Sequence, residues 1–410
     1  MTTTAGPSRT YRARWSPKRA LAEGLTKQAV SRVPVRVRYP DGHVVGGGGA
    51  TSPVIDLLKP DALFHRMAEH PKIGLGEAYM HGEWAAAPGT DLADALTPFA
   101  RSISALLPSY VTRLRRVVDR AIPASTRNSL TAAKRNIEAH YDLSNDLFAA
   151  FLDPSMTYSS AVFDEARPFA EQDLGEAQHR KIDAILDHAR VGDGTRLLEI
   201  GSGWGELALR AARRGAHVTT ITLSSEQLDL AQRKIEEAGL ADRVEIRLQD
   251  YREVSGTFDA VVSVEMIEAV GEEYWPAYLE AIDRALVPGG IAVIQAITMD
   301  HHRMLATRNS YGWIQKHIFP GGLIPSVAAL RHIAEEQTHL RISLVNAFGL
   351  HYAHTLRRWR QRFLAQWPVI SRLGFDEVFG RKWEFYLAYS EAGFASGYLD
   401  VAHLVLVKQP

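Results

Sequence analysis

The chain has 410 residues, 47 lysines and arginines against 47 aspartates and glutamates, and no cysteine. This is the composition of a globular protein of two or three domains; zero net charge gives no global field toward nucleic acid or membrane, and without cysteine there is neither a disulfide framework nor a thiolate metal site. No apolar run approaches the roughly 18 residues of a membrane span, and the N-terminus lacks the hydrophobic core of a signal peptide, so the expectation is a cytoplasmic protein whose membrane contact is peripheral.

The first dozen residues are polar and small. Arg9, Arg12, Arg14, Lys18, Arg19, Lys27, Arg32, Arg36 and Arg38 make the first forty locally basic. Val33, Val35, Val37 and Tyr39 alternate with Arg32, Pro34, Arg36 and Arg38, which predicts a half-buried strand with a basic outer face. Asp41-Gly42 turns it into a hairpin. Gly46 to Gly49 reads as a flexible joint, and 54–84 as mixed α and β. Residues 1–120 are therefore expected to form a small α+β domain. Its basic residues are either a solvated face or a surface for anionic lipid headgroups. Residues 101–133, with the Arg113–Arg116 cluster, read as the connector.

The segment from Asn136 to Phe163 is dense in His, Tyr, Asp and Ser, with a helical apolar face at Leu143, Leu147, Phe148, Phe151 and Leu152. After it, Leu197 to Ile200 form an apolar run of the kind that makes a strand buried on both faces. Gly201, Gly203 and Gly205 follow in alternation, then Leu207, Ala208, Ala211 and Ala212 at helical spacing. Glycine there permits a sharp reversal and lets a ligand approach the backbone. The dinucleotide fingerprint wants glycine at 206, where Glu206 stands, and no carboxylate closes the second strand. Glu199 instead offers a partner for a ligand ammonium. The loop resembles the S-adenosylmethionine (SAM) loop of Rossmann-like methyltransferases; a nicotinamide or flavin cofactor is the alternative. Strands are expected at 196–200, 217–223, 244–248, 258–264, 291–297, 341–347 and 402–408, giving a largely parallel sheet of seven. A ligand belongs at their carboxyl ends, where Glu268, Gln295 and Ile297 fall.

Seven stretches together carry a specific resemblance: 140–148 (HYDLSNDLF), 156–160 (MTYSS), 198–205 (LEIGSGWG), 222–227 (TLSSEQ), 264–271 (VEMIEAVG), 318–326 (IFPGGLIPS) and 348–352 (FGLHY). From about residue 131 to the end the chain resembles a cyclopropane fatty acid synthase-type methyltransferase. The resemblance implies a Rossmann-like class I methyltransferase fold over residues 121–410, with the N-terminal region as a lipid- or membrane-docking domain. It implies that Gly201 and Gly203 lie against the methionine end of SAM, that Tyr158 and Ser159 hold its polar groups, and that Thr222, Leu223 and Gln227 meet the ribose and adenine, with Tyr251 beside the adenine. It further implies a bound bicarbonate acting as base, held by a Cys, a Glu, a His, a Tyr and a backbone amide. Glu268, Tyr352 and the amide of Ile297 match; Ser160 stands for the Cys and Gln295 for the His. Ser and Gln still hydrogen-bond an oxyanion, but the imidazole is lost at 295.

The implied reaction adds the SAM methyl to the alkene of a phospholipid acyl chain. The resulting carbocation is tolerated by aromatic faces, for which Tyr311, Trp313, Phe319 and Tyr386 are candidates. Early loss of a methyl proton closes a cyclopropane; a prior hydride shift leads to an exocyclic methylene, the precursor of a 10-methyl fatty acid. The altered base site favours the methylene. The rivals are the cyclopropane product, a small soluble acceptor, and a lipid-binding relative without catalysis. Partners expected are unsaturated phospholipid at the inner face of the membrane, a second copy of the chain, and a separate reductase for the methylene product. Arg357, Arg358, Arg360 and Arg362, on a helix with Leu356, Trp359, Phe363 and Trp367 as its apolar stripe, are either a second docking surface or the polar side of a core helix.

Overall fold

The computed structural model describes residues 16–106 and 144–410. The expectations for the first dozen residues, for Arg9, Arg12 and Arg14, for residues 107–133 of the connector and for the His140 end of its motif lie outside the described residues. So does the boundary expected at 120.

The N-terminal part begins with a helix, Pro17–Val30, of which only Val30 is buried. A four-stranded sheet follows in the order β2-β1-β3-β4, from β1 (Arg36–Arg38), β2 (Val44–Val45), β3 (Val54–Leu57) and β4 (Trp84–Ala86). The alternation holds, with Val33, Val35 and Val37 buried. The strand itself is shorter than the pattern because Pro34 has no N–H for a ladder. The hairpin forms across Asp41-Gly42, with Gly42 at φ 86°. The outer arginines are engaged: Arg38 is bidentate on Asp56 at 2.8 and 2.9 Å, and Arg36 donates to the Ala50 carbonyl. The glycine run is no joint. A Cβ on Gly46 would lie 2.1 Å from the Val35 carbonyl oxygen, so the run lets two backbones touch.

This part shares a core with the rest. Trp84 is buried, its Nε1–H donating to the Leu75 carbonyl at 2.9 Å. Its ring meets Tyr79 at 4.9 Å and Phe385 at 6.1 Å, and Phe385 belongs to the helix Glu377–Ala395. Trp313 packs on Phe385 at 4.8 Å and fills the space over Gly76, where a Cβ would come within 2.5 Å of the indole. Tyr79 donates to Glu384 at 2.8 Å.

The larger sheet has seven strands in the order β10-β11-β9-β8-β5-β6-β7. They are β5 (Arg196–Ile200), β6 (His217–Thr222), β7 (Val244–Leu248), β8 (Phe258–Val264), β9 (Leu286–Thr298), β10 (Leu340–Ala347) and β11 (Asp400–Lys408). All pair in parallel except β11, which runs antiparallel between β10 and β9. β9 starts earlier than its apolar run because a register shift against β8 absorbs Pro288-Gly-Gly. Leu197 to Ile200 are buried, as a central strand requires. The helices Leu174–His188, Glu206–Arg213 and Ser225–Glu237 contribute to the core on one face. Trp275–Ala285 and Val327–Gln337 contribute to the core on the other. Strand order reverses between β5 and β8, which opens a crevice at their carboxyl ends.

Candidate active site

The glycine turn caps β5 at that crevice. Gly201, Gly203 and Gly205 have φ of 97°, 49° and 90°, the left-handed region that glycine tolerates. Among the described residues nothing lies within 4 Å of where a Gly203 Cβ would be, so the turn leaves a cradle. Glu199, 3% exposed, accepts a hydrogen bond from the Thr220 hydroxyl at 2.6 Å. Burial pushes its carboxyl up to about 8, with Thr220 and Lys181 pulling against that. A buried carboxylate so poorly compensated beside an open cradle suits the cationic amino-acid end of SAM. Thr222 donates to Gln227 Oε1 at 2.8 Å at the end of β6, and Leu223 is partly buried next to it. Ser159 accepts from Lys181 Nζ at 2.7 Å. The Tyr158 hydroxyl lies 2.9 Å from that of Tyr386, and its ring meets Phe148 at 5.2 Å and Trp359 at 5.1 Å. Tyr251 follows β7, its ring near Tyr278 at 5.0 Å and the Arg252 guanidinium at 5.2 Å.

The residues expected around a base converge, but on a different group. Ser160 N–H donates to Glu265 Oε1 at 2.9 Å, Gln295 Nε2 to the same oxygen at 2.8 Å, and Tyr352 Oη to Glu265 Oε2 at 2.6 Å. The Ser160 hydroxyl turns away to the Ala161 carbonyl, so serine serves through its backbone. Gln295 is oriented from behind: His403 Nε2 lies 3.0 Å from Gln295 Oε1. Burial drives His403 down to about 3, so the imidazole is neutral and its Nε2–H donates. Burial also pushes the Tyr352 phenol well above its ordinary value, so it keeps its proton and donates. The Ile297 amide donates to Glu268 Oε1, while Glu268 Oε2 has no partner among the described residues. Burial and the neighbouring Glu265 charge push Glu268 up to about 8.

The donors expected to hold bicarbonate are thus occupied by this chain's own carboxylates. The Glu265 carboxylate also repels a second anion in the same space. The residues do not fit bicarbonate.

Three site residues escaped the sequence reading. Glu265 follows the last residue of β8, where topology directs attention. His403 is a histidine within the continuous apolar run of β11. Lys181, 1% exposed, sits in the apolar stripe of Leu174–His188, pushed down to about 8 by burial.

Aromatic rings wall the site. Tyr352 stacks on Phe394 at 4.4 Å, and Tyr386 meets Trp383 at 5.4 Å and Phe319 at 5.9 Å. Of the four rings expected to face a cation, Phe319 and Tyr386 join this group. Trp313 is a core ring against the N-terminal part, and Tyr311 is partly buried. The 318–326 loop lies over the site, Leu323 N–H donating to the Glu268 carbonyl at 2.8 Å.

The arginine helix, Gly349–Ala365, is a core helix. Leu356, Trp359 and Phe363 are buried; Arg360 pairs with Asp91 and Glu391, Arg357 with Asp94 and Glu391, and Arg358 with the carbonyls of Ala170 and Gln172. Arginines spent on internal partners are not free for headgroups, so for these three the docking surface is overturned.

A cradle of left-handed glycines at the switch point of a seven-stranded sheet with one reversed strand defines a class I SAM-dependent methyltransferase. Comparison with known proteins narrows the class. The chain belongs to the mycolic acid cyclopropane synthetase family, whose model matches residues 128–404. It is 50% identical over 393 residues to tuberculostearic acid methyltransferase UfaA1 of Mycobacterium tuberculosis, covering 95% of this chain and 91% of that one. It is 36% identical over 354 residues to the cyclopropane-fatty-acyl-phospholipid synthase of Escherichia coli K12, covering 83% and 84%. Among solved structures, mycolic acid cyclopropane synthase CmaA1 complexed with SAH and CTAB matches with a TM-score of 0.61 at 30% identity, over 67% of this chain and 98% of that one.

Proposed function

We propose that this protein adds the methyl group of SAM to the double bond of an oleoyl-type phospholipid acyl chain and leaves a methylene branch, the precursor of a 10-methyl fatty acid. The observation that carries this reading is a carboxylate, Glu265, set among aromatic rings beside the cofactor cradle. An alkene needs no activation by a base, but the cation it becomes needs a quiet apolar enclosure and a proton acceptor. Bound SAM supplies the electrophilic methyl. Glu199 and the glycine turn bind its amino-acid end, Thr222, Leu223 and Gln227 its ribose and adenine, and Tyr158 and Ser159 the remaining polar groups. Tyr352, Trp359, Phe394 and Tyr386 exclude water that would quench a cation. The half-identical relative named for tuberculostearic acid supports the branched product.

A ring-closing outcome is the second reading, supported by the Escherichia coli relative. The two products have equal mass, so NMR of acyl chains from bacteria expressing this protein decides. Vinylidene signals support the branch; cyclopropyl signals alone refute it.

A methylene branch is still an alkene, and reducing it takes two electrons from elsewhere, which supports a separate reductase. Among the described residues no helix is long and apolar enough to cross a membrane. Peripheral contact at the inner face is supported by Leu364, Val369, Leu373 and Val378, exposed around the turn between Gly349–Ala365 and Glu377–Ala395, with Arg372 among them. The edge strand β10 exposes Leu344 and Val345, which supports pairing with a second copy.

A further inference from the structure

We propose that Glu265 is the catalytic base of this enzyme, a tethered carboxylate doing what a captured bicarbonate would otherwise do. The inference rests on the methyl-transfer reading above and deepens it.

Two independent observations carry it. The first is convergence. Donors from three separate places in the chain, Ser160 N–H, Gln295 Nε2 and Tyr352 Oη, meet on one carboxylate. Gln295 is itself held in the donating orientation by His403. Such a set fixes the position of an acceptor and favours its ionised form, against the burial that pushes the Glu265 carboxyl above its ordinary value. Glu265 nonetheless keeps part of its surface open. The second is strain. Glu265 has φ 52°, in the left-handed region that side chains other than glycine, asparagine and aspartate rarely adopt. Its backbone N–H is pinned there by the Gln295 carbonyl at 2.8 Å. Strain of this kind persists where the surroundings over-determine it, which is typical of functional sites.

The groups around Glu265 are Glu268, Lys181, Tyr352, Gln295 and Ser160. Glu268, pushed up to about 8, faces Glu265 mostly as the neutral acid at pH 7, and Lys181 lends positive charge from within the same core. The step balances without a co-reactant. A hydride first shifts from the carbon that received the methyl group to the neighbouring cationic carbon, which leaves the cation on the methyl-bearing carbon. Then one C–H bond of the transferred methyl group breaks. Its electron pair becomes the second bond to the adjacent cationic carbon, and the proton joins Glu265, leaving a neutral carboxylic acid. No oxidant or reductant takes part.

The test uses the full-length enzyme on dioleoyl phosphatidylglycerol vesicles, in carbon-dioxide-stripped buffer with and without added bicarbonate. It reads S-adenosylhomocysteine release and acyl product. Wild-type turnover should be the same in both buffers. E265Q should lose about 10²- to 10⁴-fold in turnover with SAM affinity by calorimetry unchanged, and bicarbonate should not restore it. E265G suits the left-handed backbone and opens the carboxylate's space. It should be as slow as E265Q without bicarbonate and recover part of its turnover with it. A wild type that needs bicarbonate, or an E265Q enzyme of near-normal turnover, overturns the proposal while leaving methyl transfer standing. A wild type that forms no acyl product in either buffer overturns the functional reading, and this proposal with it.

Discussion

His403 holds Gln295 by a single hydrogen bond, 3.0 Å from Nε2 to Oε1, and that bond, together with the Ser160 carbonyl accepting from Gln295 Nε2 at 3.3 Å, sets which end of the amide faces Glu265. With the carbonyl end satisfied from β11, the NH2 end points at the carboxylate. Replacing His403 with Phe keeps a ring against Phe348 but removes the donor. Turnover should fall about tenfold, the worth of one neutral hydrogen bond. The Michaelis constant for SAM should not move, and His403→Gln should recover part of the loss. An unchanged turnover would show that the amide is held by other means.

Glu268 gives a pH signature. Its carboxyl, pushed up to about 8, is mostly protonated at neutral pH. Glu268→Gln mimics that form, so at pH 7 it should lose far less than Glu265→Gln, within about tenfold. Above pH 8 the wild type ionises a second carboxylate beside Glu265 and should slow. The Gln variant should hold its rate there. Parallel pH profiles for the two enzymes would remove Glu268 from the titration.

Glu199 links SAM binding to protons. Its pKa is raised on folding, to about 8 from the ordinary value of 4.5. The stability it contributes is therefore fully present below about pH 4.5 and is lost as pH rises through 8. Lys181, pushed down to about 8, stays protonated in both states across most of that window and does not mask the effect. An ammonium partner favours the ionised form, so SAM should bind more tightly as pH rises toward 8, releasing a proton below it. Calorimetry in buffers of different ionisation enthalpy measures that proton. Glu199→Gln should abolish it, along with the corresponding part of the melting-temperature slope.

Gly203→Val tests the cradle. The valine would occupy open space at φ 49°, paying about 1–2 kcal/mol of backbone strain and blocking a ligand. A folded variant should lose SAM binding. Undiminished affinity would place the cofactor elsewhere.

The exposed turn around 364–378 should matter only for packaged substrate. Val369→Ser with Leu373→Ser removes two apolar groups that contact with a bilayer would bury, and vesicle binding should weaken roughly tenfold or more. Turnover on detergent-dispersed lipid should be unaffected. Equal losses in both assays would argue for a defect within the site.

All seven strands of the large sheet are legible in the sequence, the central ones as apolar runs and β7 as an alternation of apolar and charged residues. Their carboxyl ends point to Gln295, Ile297 and Glu268 without any contact being known. The glycine turn is legible because left-handed backbone leaves its mark in residue type. The helix Pro17–Val30 is not, since it buries one residue and so carries no clear stripe. The arginine helix is ambiguous for the opposite reason: its stripe is clear, but whether Arg360 meets water or Glu391 depends on a helix thirty residues away. Glu265 escapes notice because it has no local signature. Its donors come from positions 160, 295 and 352, and only the folded chain assembles them.

The left-handed backbone at Glu265 also bears on descent. Glutamate and glycine codons differ in the middle base alone. A backbone already shaped for glycine accepts either residue without rebuilding β8 or the helix after it. If Glu265 is the base, one base change at that codon would remove the acceptor carried by the chain and open its space to one borrowed from dissolved carbon dioxide. Dependence on the gas phase of the habitat can then be gained or shed while the fold stays as it is.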